Sequence, residues 1–320
     1  HIIGKLQYLM KNVLITGGSG YLGGRIANYL ASFNEYNIFI ASRNDYKNNN
    51  KFNYRKIDWT SKNSLQNVCQ NIEIIIHLAA MNANECNENP EKAYEINVLN
   101  TKKLIESAQI NNVKKVIYFS TAHVYSSLLS GVIDEKTSTL NPHSYAKTHL
   151  LAEKFIFDFN KKNNSQGIIL RLSNSFGAPL DQNSNCWMLF ANDICKTGIL
   201  ESKIFIKSNP FQLRDFITLL DVCRATKHFL DYKIKSNLNP IFNLGGKLTL
   251  TLIDFAKLVQ NELSLFLNEK VEIISKSNNK KKSIFEYNID KLESTGFVLE
   301  SKIKDEIVSL IKFCNNNFKN

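Results

Sequence analysis

Short apolar runs and helical patterns alternate along the first half of the chain. Six of the apolar runs are rich in Ile, Val, Tyr or Phe, a composition typical of strands. The predicted strands are 13–16, 37–41, 54–57, 72–78, 116–120 and 167–172. Runs without polar alternation are buried on both faces, so this order predicts an α/β fold with a doubly wound parallel sheet. Ligands of such sheets bind at the carboxyl ends of the strands.

A glycine-rich turn follows the first predicted strand and opens a helix. Its spacing is Gly17-x-x-Gly20-x-x-Gly23. Backbone N–H groups of such a turn approach a pyrophosphate at the positive end of the helix, and Gly23 lets the helix pack close to the sheet. The turn therefore predicts a Rossmann-type dinucleotide-binding domain, with an ordinary glycine-rich turn as the alternative.

The glycine spacing resembles that of extended short-chain dehydrogenases/reductases, in particular the NAD-dependent epimerase/dehydratase family. Further segments follow in the family's order over nearly the whole chain from Met10. They are Leu78-Ala79-Ala80, Asn97-Val98, FSTAHVY at 119–125, Tyr145, RLSNSFG at 171–177, Arg214-Asp215-Phe216 and Asp221. The resemblance implies an enzyme that modifies a nucleotide-diphosphate sugar. It also implies a homodimer that pairs through the helices around 90–110 and 144–160.

The resemblance also implies which residues contact the cofactor. Asp58 is expected beside the adenine, although a helix-capping role ahead of Thr60 and Ser61 is an equal alternative. Asn97 is expected to brace an active-site water or a helix kink. The complete expected set is Gly17, Gly20, Tyr21, Leu22, Gly23, Ser42, Arg43, Asp58, Leu78, Ala79, Ala80, Asn97, Tyr145 and His149.

The end of the second predicted strand bears on which dinucleotide binds. A carboxylate there accepts hydrogen bonds from a ribose 2′-OH, whereas a cation suits a 2′-phosphate. Ser42 and Arg43 stand at this point and no carboxylate does. This favours NADP(H), with NAD(H) left open, and the alternative for Arg43 is a solvated loop cation.

Family chemistry requires a tyrosine that moves a proton while hydride moves to or from the nicotinamide, with a Ser or Thr hydroxyl sharing the hydrogen bond. Thr121 ends the fifth predicted strand at the ligand edge, and Tyr145 opens the helix after Pro142. By the resemblance both are catalytic. The alternative for Tyr145 is a core tyrosine that starts a helix.

His149 occupies the position of the family's catalytic lysine, four residues after Tyr145 and on the same helix face. That lysine binds the ribose and its charge lowers the tyrosine pKa. A neutral imidazole would keep the first role and weaken the second, whereas Glu153, one turn further, would favour the imidazolium. The alternative is that His149 only packs and catalysis is feeble or lost.

Asn174 and Arg214 match the positions where family members hold the diphosphate of the substrate, and an Arg fork with an amide suits that anion. The alternative is a structural pair of Arg214 with Asp215. Sugar 4,6-dehydratases resemble the chain but carry Asp-Glu directly after the catalytic Thr, where this sequence has Ala122 and His123. Dehydration is therefore not expected.

The regular alternation of predicted strands and helices ends after about residue 175. Shorter predicted strands at 203–207, 216–219, 241–244 and 271–275 mix with helices at about 184–197, 252–267 and 303–317. We expect a dinucleotide-binding domain over 10–175, and over 176–320 a smaller mixed α/β lobe, mainly for substrate, that returns some segments to the first domain. Residues 1–9 precede Met10, the expected natural start, and are interpreted as leader sequence.

Composition narrows the class further. The 320 residues carry a net charge of +11, but the excess is spread out, with one tight run at Lys280–Lys282, so nucleic acid is not an expected partner. No apolar run approaches the roughly 20 residues of a membrane span, and no secretory signal opens the chain. The 6 cysteines lack metal or disulfide spacing, which favours a reducing compartment, the cytoplasm.

Two classes of function remain open. One is an enzyme acting on a nucleotide-diphosphate sugar, by 4-epimerisation through a keto intermediate or by reduction of a keto-sugar. The other is a non-catalytic dinucleotide-binding sensor or scaffold of the same fold, which the replacement of lysine by His149 permits.

Overall fold

A computed structural model describes residues 10–161, 165–234, 239–275 and 284–319. The predicted leader 1–9 and the run Lys280–Lys282 lie outside these ranges. The strands are β1 Lys11–Thr16, β2 Tyr36–Ser42, β3 Asn53–Lys56, β4 Ile74–His77, β5 Lys115–Thr121, β6 Gly131–Ile133, β7 Gln166–Leu172, β8 Asn174–Phe176, β9 Lys203–Ile206, β10 Leu213–Thr218, β11 Ile241–Leu244, β12 Thr249–Thr251, β13 Glu272–Ser275 and β14 Phe285–Tyr287.

Helices fill most of the connections between strands. They are α1 Tyr21–Leu30, α2 Lys62–Cys69, α3 Ala83–Glu88, α4 Pro90–Ala93, α5 Asn100–Ile110, α6 Ser144–Asn160, α7 Phe190–Glu201, α8 Leu219–Asp231, α9 Leu252–Leu267, α10 Asp290–Glu293 and α11 Ile303–Phe318. A π-helical segment, Tyr94–Leu99, joins α4 to α5, and a 3₁₀ turn, Ala122–Val124, follows β5.

The main sheet has seven parallel strands in the order β11-β7-β5-β4-β1-β2-β3. Strand order reverses between β1 and β4, so a crevice opens there at the carboxyl ends of the strands. The predicted α/β fold with a doubly wound parallel sheet is confirmed. All six predicted early strands are present. The central strands β4 and β5 are buried along their whole length, whereas the edge strand β3 has no buried residue.

Side chains of the sheet alternate between two hydrophobic cores. Val13 and Ile15 of β1 enter the core that contains α1 and α8, whereas Leu14 enters the core that contains α5 and α6. A third core, formed by α7, α9, α11 and the short strands β9 and β10, lies in the second half of the chain. That half also supplies β11, which pairs with β7 in the main sheet.

Two predicted boundaries in the second half are wrong. The strand predicted at 216–219 ends at Thr218, because the Thr218 hydroxyl accepts a hydrogen bond from the N–H of Asp221 and begins α8. The helix predicted from 184 begins at Phe190, since residues before it form turns in which the Asp181 carboxylate accepts from the N–H of Asn183.

All six cysteines are buried free thiols. Within the described ranges, no group of three His, Cys, Asp or Glu side chains comes together as a metal site requires. No helix in the described part of the chain is both long and apolar enough to cross a membrane.

Candidate active site

The turn between β1 and α1 has no room for a side chain at Gly17 or Gly23. Gly17 has φ +70°, and a Cβ there would lie 3.0 Å from backbone atoms of Leu78 and Ala79. A Cβ on Gly23 would lie 2.2 Å from the carbonyl oxygen of Gly17. Gly20 is the N-cap of α1, and no side chain caps this helix end. The turn is therefore a tight backbone cradle whose helix N–H groups are free of side-chain partners, as an anion site requires.

Tyr21 turns its side chain toward the second half of the chain. Its hydroxyl lies 3.2 Å from the carbonyl oxygen of Gly177 and 3.4 Å from Oδ1 of Asn192. Arg25, one turn along α1, donates to the carbonyl oxygen of Ala178 at 2.6 Å. The cradle is thus tied to the loop after β8. The cofactor contacts expected of Tyr21 and its neighbour Leu22 stay predictions.

Ser42 and Arg43 stand where β2 ends. The Ser42 hydroxyl is buried and accepts from the N–H of Asn44 at 3.1 Å. Arg43 is exposed and has no hydrogen bond or ion pair with any other described residue. The nearest acidic residue in sequence, Asp45, forms an ion pair with Lys56 at 2.7 Å. A guanidinium without a partner thus remains at the strand tip, available to an anion.

Asp58 closes a turn and does not cap α2. One Asp58 carboxylate oxygen accepts from the N–H of Thr60 at 2.9 Å and from its hydroxyl at 2.7 Å. These hydrogen bonds lower the pKa of Asp58. Ser61 is the N-cap of α2, through its hydroxyl and the N–H of Ser64. The capping alternative is therefore wrong in detail, and the contact of Asp58 with an adenine stays a prediction.

Asn97 lies in the π-helical segment, 1% exposed. Its Oδ1 accepts from the N–H of Met81 at 2.8 Å, directly after the Leu78–Ala80 segment, and its Nδ2 donates to the Thr148 hydroxyl at 3.0 Å. Thr148 in turn donates to the carbonyl oxygen of Tyr145 at 3.0 Å. Asn97 thus fixes the loop after β4 against the first turn of α6. π-Helical segments recur at functional sites.

Thr121 and Tyr145 meet at the carboxyl end of β5. Thr121 is the last residue of the strand, and Tyr145 is the second residue of α6, whose N-cap is His143. Burial raises the pKa of the Tyr145 phenol to about 12, and a hydrogen-bonding interaction with the Thr121 side chain opposes part of that rise. At neutral pH the phenol is therefore almost wholly protonated.

His149 is buried beside Tyr145. The two rings pack edge to face with centroids 4.6 Å apart. Nδ1 of His149 lies 2.8 Å from the hydroxyl of Tyr118, and Nε2 is buried without a hydrogen-bond partner in the described structure. Burial lowers the pKa of His149 to about 4, so the imidazole is neutral at physiological pH. Only 3% of His149 is exposed, which leaves little surface for the expected contact with a ribose.

The expectation that Glu153 favours an imidazolium at His149 is wrong. Glu153 accepts two hydrogen bonds from Arg171, at 3.0 and 2.7 Å, and one from the Ser120 hydroxyl at 2.6 Å. Residues four apart on α6 do share a face, but Arg171 on β7 competes for the carboxylate. A bidentate guanidinium pair is stronger than a contact with a neutral imidazole, so Glu153 is neutralised by Arg171.

Arg214 and Asn174 lie on adjacent strands, β10 and β8, beyond the end of β7. Asn174 Nδ2 donates to the carbonyl oxygen of Asp215 at 3.0 Å. Arg214 is half-buried without a hydrogen bond or ion pair to any described residue. Desolvation and, next, the charge of Arg214 lower the pKa of His123, which places this guanidinium near the end of β5.

The alternative that Arg214 pairs with Asp215 is wrong. The Asp215 carboxylate accepts from the Ser173 hydroxyl at 2.6 Å and from the N–H groups of Gly246 and Leu248 at 2.9 and 3.1 Å. These bonds hold the β10 backbone in place and leave the Arg214 side chain without its own counter-charge.

Sequence patterns assigned no role to Tyr118 or Ser120. Both are buried on β5 and form hydrogen bonds with side chains of α6. Hydroxyl groups in a strand that is predicted to be buried on both faces need hydrogen-bond partners, because buried polar groups are rarely unpaired. This rule predicts that both residues have partners, but it does not identify them.

Comparisons with known proteins identify the family of the chain. Residues 13–245 match the model of the NAD dependent epimerase/dehydratase family. A UDP-glucose 4-epimerase of Mycoplasma genitalium is 30% identical over 280 residues, which are 77% of this chain and 81% of that protein. The human dTDP-D-glucose 4,6-dehydratase is 27% identical over 263 residues, 77% of this chain and 72% of that protein.

Solved structures share the fold. The UDP-glucuronic acid 4-epimerase of Bacillus cereus, in complex with UDP-glucuronic acid and NAD, superposes with a TM-score of 0.79 at 19% identity over 96% of this chain and 100% of that one. The fold and the glycine cradle define a Rossmann-like α/β protein. The chain belongs to the NAD-dependent epimerase/dehydratase family.

Proposed function

We propose that this protein acts on a nucleotide-diphosphate sugar with a nicotinamide dinucleotide, either by 4-epimerisation through a keto intermediate or by reduction of a keto-sugar. The observation that carries the proposal is the interaction of Tyr145 with Thr121 at the carboxyl end of β5, the sheet edge that also carries the glycine cradle after β1. A proton-transferring phenol beside a dinucleotide site is the minimum that either reaction needs.

The chain's residues fit the dinucleotide. A Cβ at Gly17 or Gly23 would collide with the backbone of the cradle, so only glycine fits there. The start of α1 has no side-chain cap, and its free N–H groups suit a pyrophosphate. When bound, the cofactor takes a hydride from the sugar or gives one to it. The partnerless Arg43 supports NADP(H), through charge-assisted hydrogen bonds to a 2′-phosphate, with NAD(H) as the alternative. Asp58, Leu78, Ala79 and Ala80 would line the adenine and ribose side.

The two reactions ask different things of Tyr145. To oxidise a sugar hydroxyl, the phenolate must accept the hydroxyl proton as hydride leaves the same carbon. To reduce a keto-sugar, the neutral phenol donates its proton to the keto oxygen as hydride arrives. Because the pKa of Tyr145 is raised to about 12, the resting form is the proton donor. The resting phenol is therefore suited to start a reduction by proton donation, with Thr121 sharing the hydrogen bond to the reacting oxygen.

Arg214 and Asn174 would hold the diphosphate. Arg214 presents a half-buried guanidinium without a counter-charge, and such a group gains most from an anionic ligand. Asn174 already donates to the Asp215 carbonyl, so its free amide N–H is the atom left for the substrate. The position after Thr121 holds Ala122 and His123 instead of an acidic pair, which supports hydride transfer without dehydration.

The assembly we propose is a homodimer. Tyr94, Leu99 and Ile110 expose 46%, 37% and 56% of their surface on the π-helical segment and α5, the helices expected to pair. Light scattering behind gel filtration gives the mass directly, and a monomer at micromolar concentration would contradict this state. The buried free thiols support a reducing compartment, the cytoplasm.

Turnover assays test the proposal. The protein is incubated with UDP-, dTDP- and GDP-linked hexoses and their 4-keto forms, with each nicotinamide cofactor, and products are identified by NMR. We expect epimer or reduced sugar with at least one pair, and loss of that product in Tyr145→Phe, which keeps the ring and lacks the proton. Tight cofactor binding without any turnover would instead support the sensor or scaffold alternative.

A further inference from the structure

The imidazole of His149 forms a hydrogen bond with a second tyrosine, Tyr118. Tyr118 lies in the middle of β5, is 3% exposed, and places its hydroxyl 2.8 Å from Nδ1 of His149. A second aromatic neighbour of the imidazole is Tyr145, packed edge to face at 4.6 Å. His149 on α6 therefore packs against one ring from β5 and one from its own helix, and the three rings Tyr118, His149 and Tyr145 form an aromatic cluster.

The direction of the hydrogen bond between Tyr118 and His149 depends on the tautomer of the imidazole, and the state of the phenol points to one of the two. Burial raises the pKa of Tyr118 well above its ordinary value, so the phenol keeps its proton. The Tyr118 hydroxyl has no other hydrogen-bond partner among the described residues, so its proton is donated to Nδ1 of the neutral imidazole. The proton of the imidazole is then on Nε2. Tyr118 therefore selects one of the two tautomers of His149.

His149 has no second hydrogen-bond partner among the described residues. Glu153, one turn further on α6, is occupied by Arg171 and Ser120. His77 packs against Tyr118 in a tilted arrangement with ring centroids 5.6 Å apart, and burial lowers the pKa of His77 to about 3, so it adds no charge. Because Nε2 has no hydrogen-bond partner, the bond to Tyr118 is the single polar contact in the described structure that orients the ring.

We propose that Tyr118 is a positioning residue for the reaction: it fixes the tautomer and orientation of His149, and the His149 ring in turn holds the phenol of Tyr145 at the strand end. This inference rests on the proposed function. The role belongs to this chain because the position of the family's lysine is filled by an aromatic ring that can pack against Tyr145. A lysine stem would offer no such face.

Two measurements test the proposal. The first is ¹⁵N NMR of histidine-labelled protein, in which the His149 signals are assigned by their loss in His149→Phe. We expect the Nε2–H tautomer in the wild type and a mixture of tautomers in Tyr118→Phe. The second is steady-state kinetics on the substrate found by the turnover assays. Tyr118→Phe should lower kcat about tenfold, since small misplacements of reacting groups carry large rate penalties, and leave KM nearly unchanged.

Controls separate positioning from general damage. Tyr36→Phe removes another phenol hydrogen bond, to Asp231 at 3.0 Å. Tyr36 begins β2, at the sheet edge opposite to the candidate site, so this variant should leave kcat unchanged. In a His149→Phe background, which keeps a ring but has no Nδ1, adding Tyr118→Phe should cause no further loss of kcat. Equal kcat losses from Tyr118→Phe with and without His149 would overturn the proposal.

The outcomes for the proposed function remain distinct. An unchanged His149 tautomer in Tyr118→Phe, or kcat equal to that of Tyr36→Phe, overturns the positioning role while turnover by the wild type still supports the enzyme. A wild type that turns over no sugar overturns the enzyme and with it any role of Tyr118 in a reaction. Should Tyr118→Phe fail to fold, an Nδ1–H tautomer in the wild type alone overturns the inference.

Discussion

Substituting His149→Lys should convert Tyr145 from a proton donor into a usable base. In the structure the neighbour of Tyr145 is neutral, because burial lowers the pKa of His149 to about 4, and the phenol pKa is raised to about 12. At pH 7 about one phenol in 10⁵ is ionised. An ammonium in this position favours the phenolate by direct Coulomb attraction.

The magnitude follows from the distance between the rings. For a unit charge placed at the His149 ring centroid, 4.6 Å from that of Tyr145, the attraction is about 3.6 kcal/mol at an effective dielectric constant of about 20. This corresponds to roughly 2 to 3 pKa units taken off the raised pKa of Tyr145. A stronger acid is a weaker base, so the rate gains less than the phenolate population, and we expect oxidation to be about 10- to 100-fold faster at neutral pH.

The assay combines a direct titration with kinetics. ¹³Cζ-tyrosine NMR follows the Tyr145 signal, assigned with Tyr145→Phe, between about pH 6 and 12, and kcat for sugar oxidation is measured over the lower part of that range. His149→Met is the matched neutral control. An equal Tyr145 pKa in the Lys and Met variants would refute the electrostatic reasoning. The wild-type rate should show no inflection attributable to His149 between pH 5.5 and 9, since its pKa lies below that window.

Three further changes have separate readouts. Arg43→Ala should reduce the preference for NADP(H) over NAD(H) in binding titrations, and an unchanged ratio would make Arg43 a solvated cation. Arg214→Ala should raise KM for the nucleotide-diphosphate sugar with cofactor affinity unchanged, whereas equal loss of both affinities would indicate a structural arginine. Glu153→Gln leaves the buried guanidinium of Arg171 without its carboxylate and should lower the free energy of unfolding by about 3–5 kcal/mol in urea titrations. The exposed pair at Asp158 is the control, because Asp158→Asn should change the unfolding free energy by less than about 1 kcal/mol.

The fold was accessible from the sequence because its signals are local. The apolar runs that become β1, β4 and β5 are buried on both faces, and the glycine spacing at Gly17 and Gly23 reports a close approach that no other residue permits. The strand and turn inferences need only neighbours in sequence and a rule of chain geometry. Thr121 and Tyr145 were assigned in another way, by their match to positions of the family that the sequence resembles.

The pairings across the sheet were not accessible. Helical spacing put His149 and Glu153 on one face of α6, but it carries no information about Arg171, which arrives on β7 and takes the carboxylate. The partner of His149 is Tyr118, 31 positions earlier and on another strand. The charge of a buried group depends on such distant partners and on desolvation, so the protonation state of His149 could not be read from its helix alone.

Charge at the strand ends is distributed so that the proposed reacting groups are neutral and the proposed anchoring group is not. Tyr145 is protonated, His149 and His77 are neutral, and Glu153 is compensated within the core. Arg214 keeps a half-buried cation without a partner among the described residues. An unpaired cation costs the free protein stability that an anionic ligand restores on binding. If the proposed function holds, the substrate's diphosphate is the group that Arg214 at this edge would bind, and the neutral phenol of Tyr145 would act first as a proton donor.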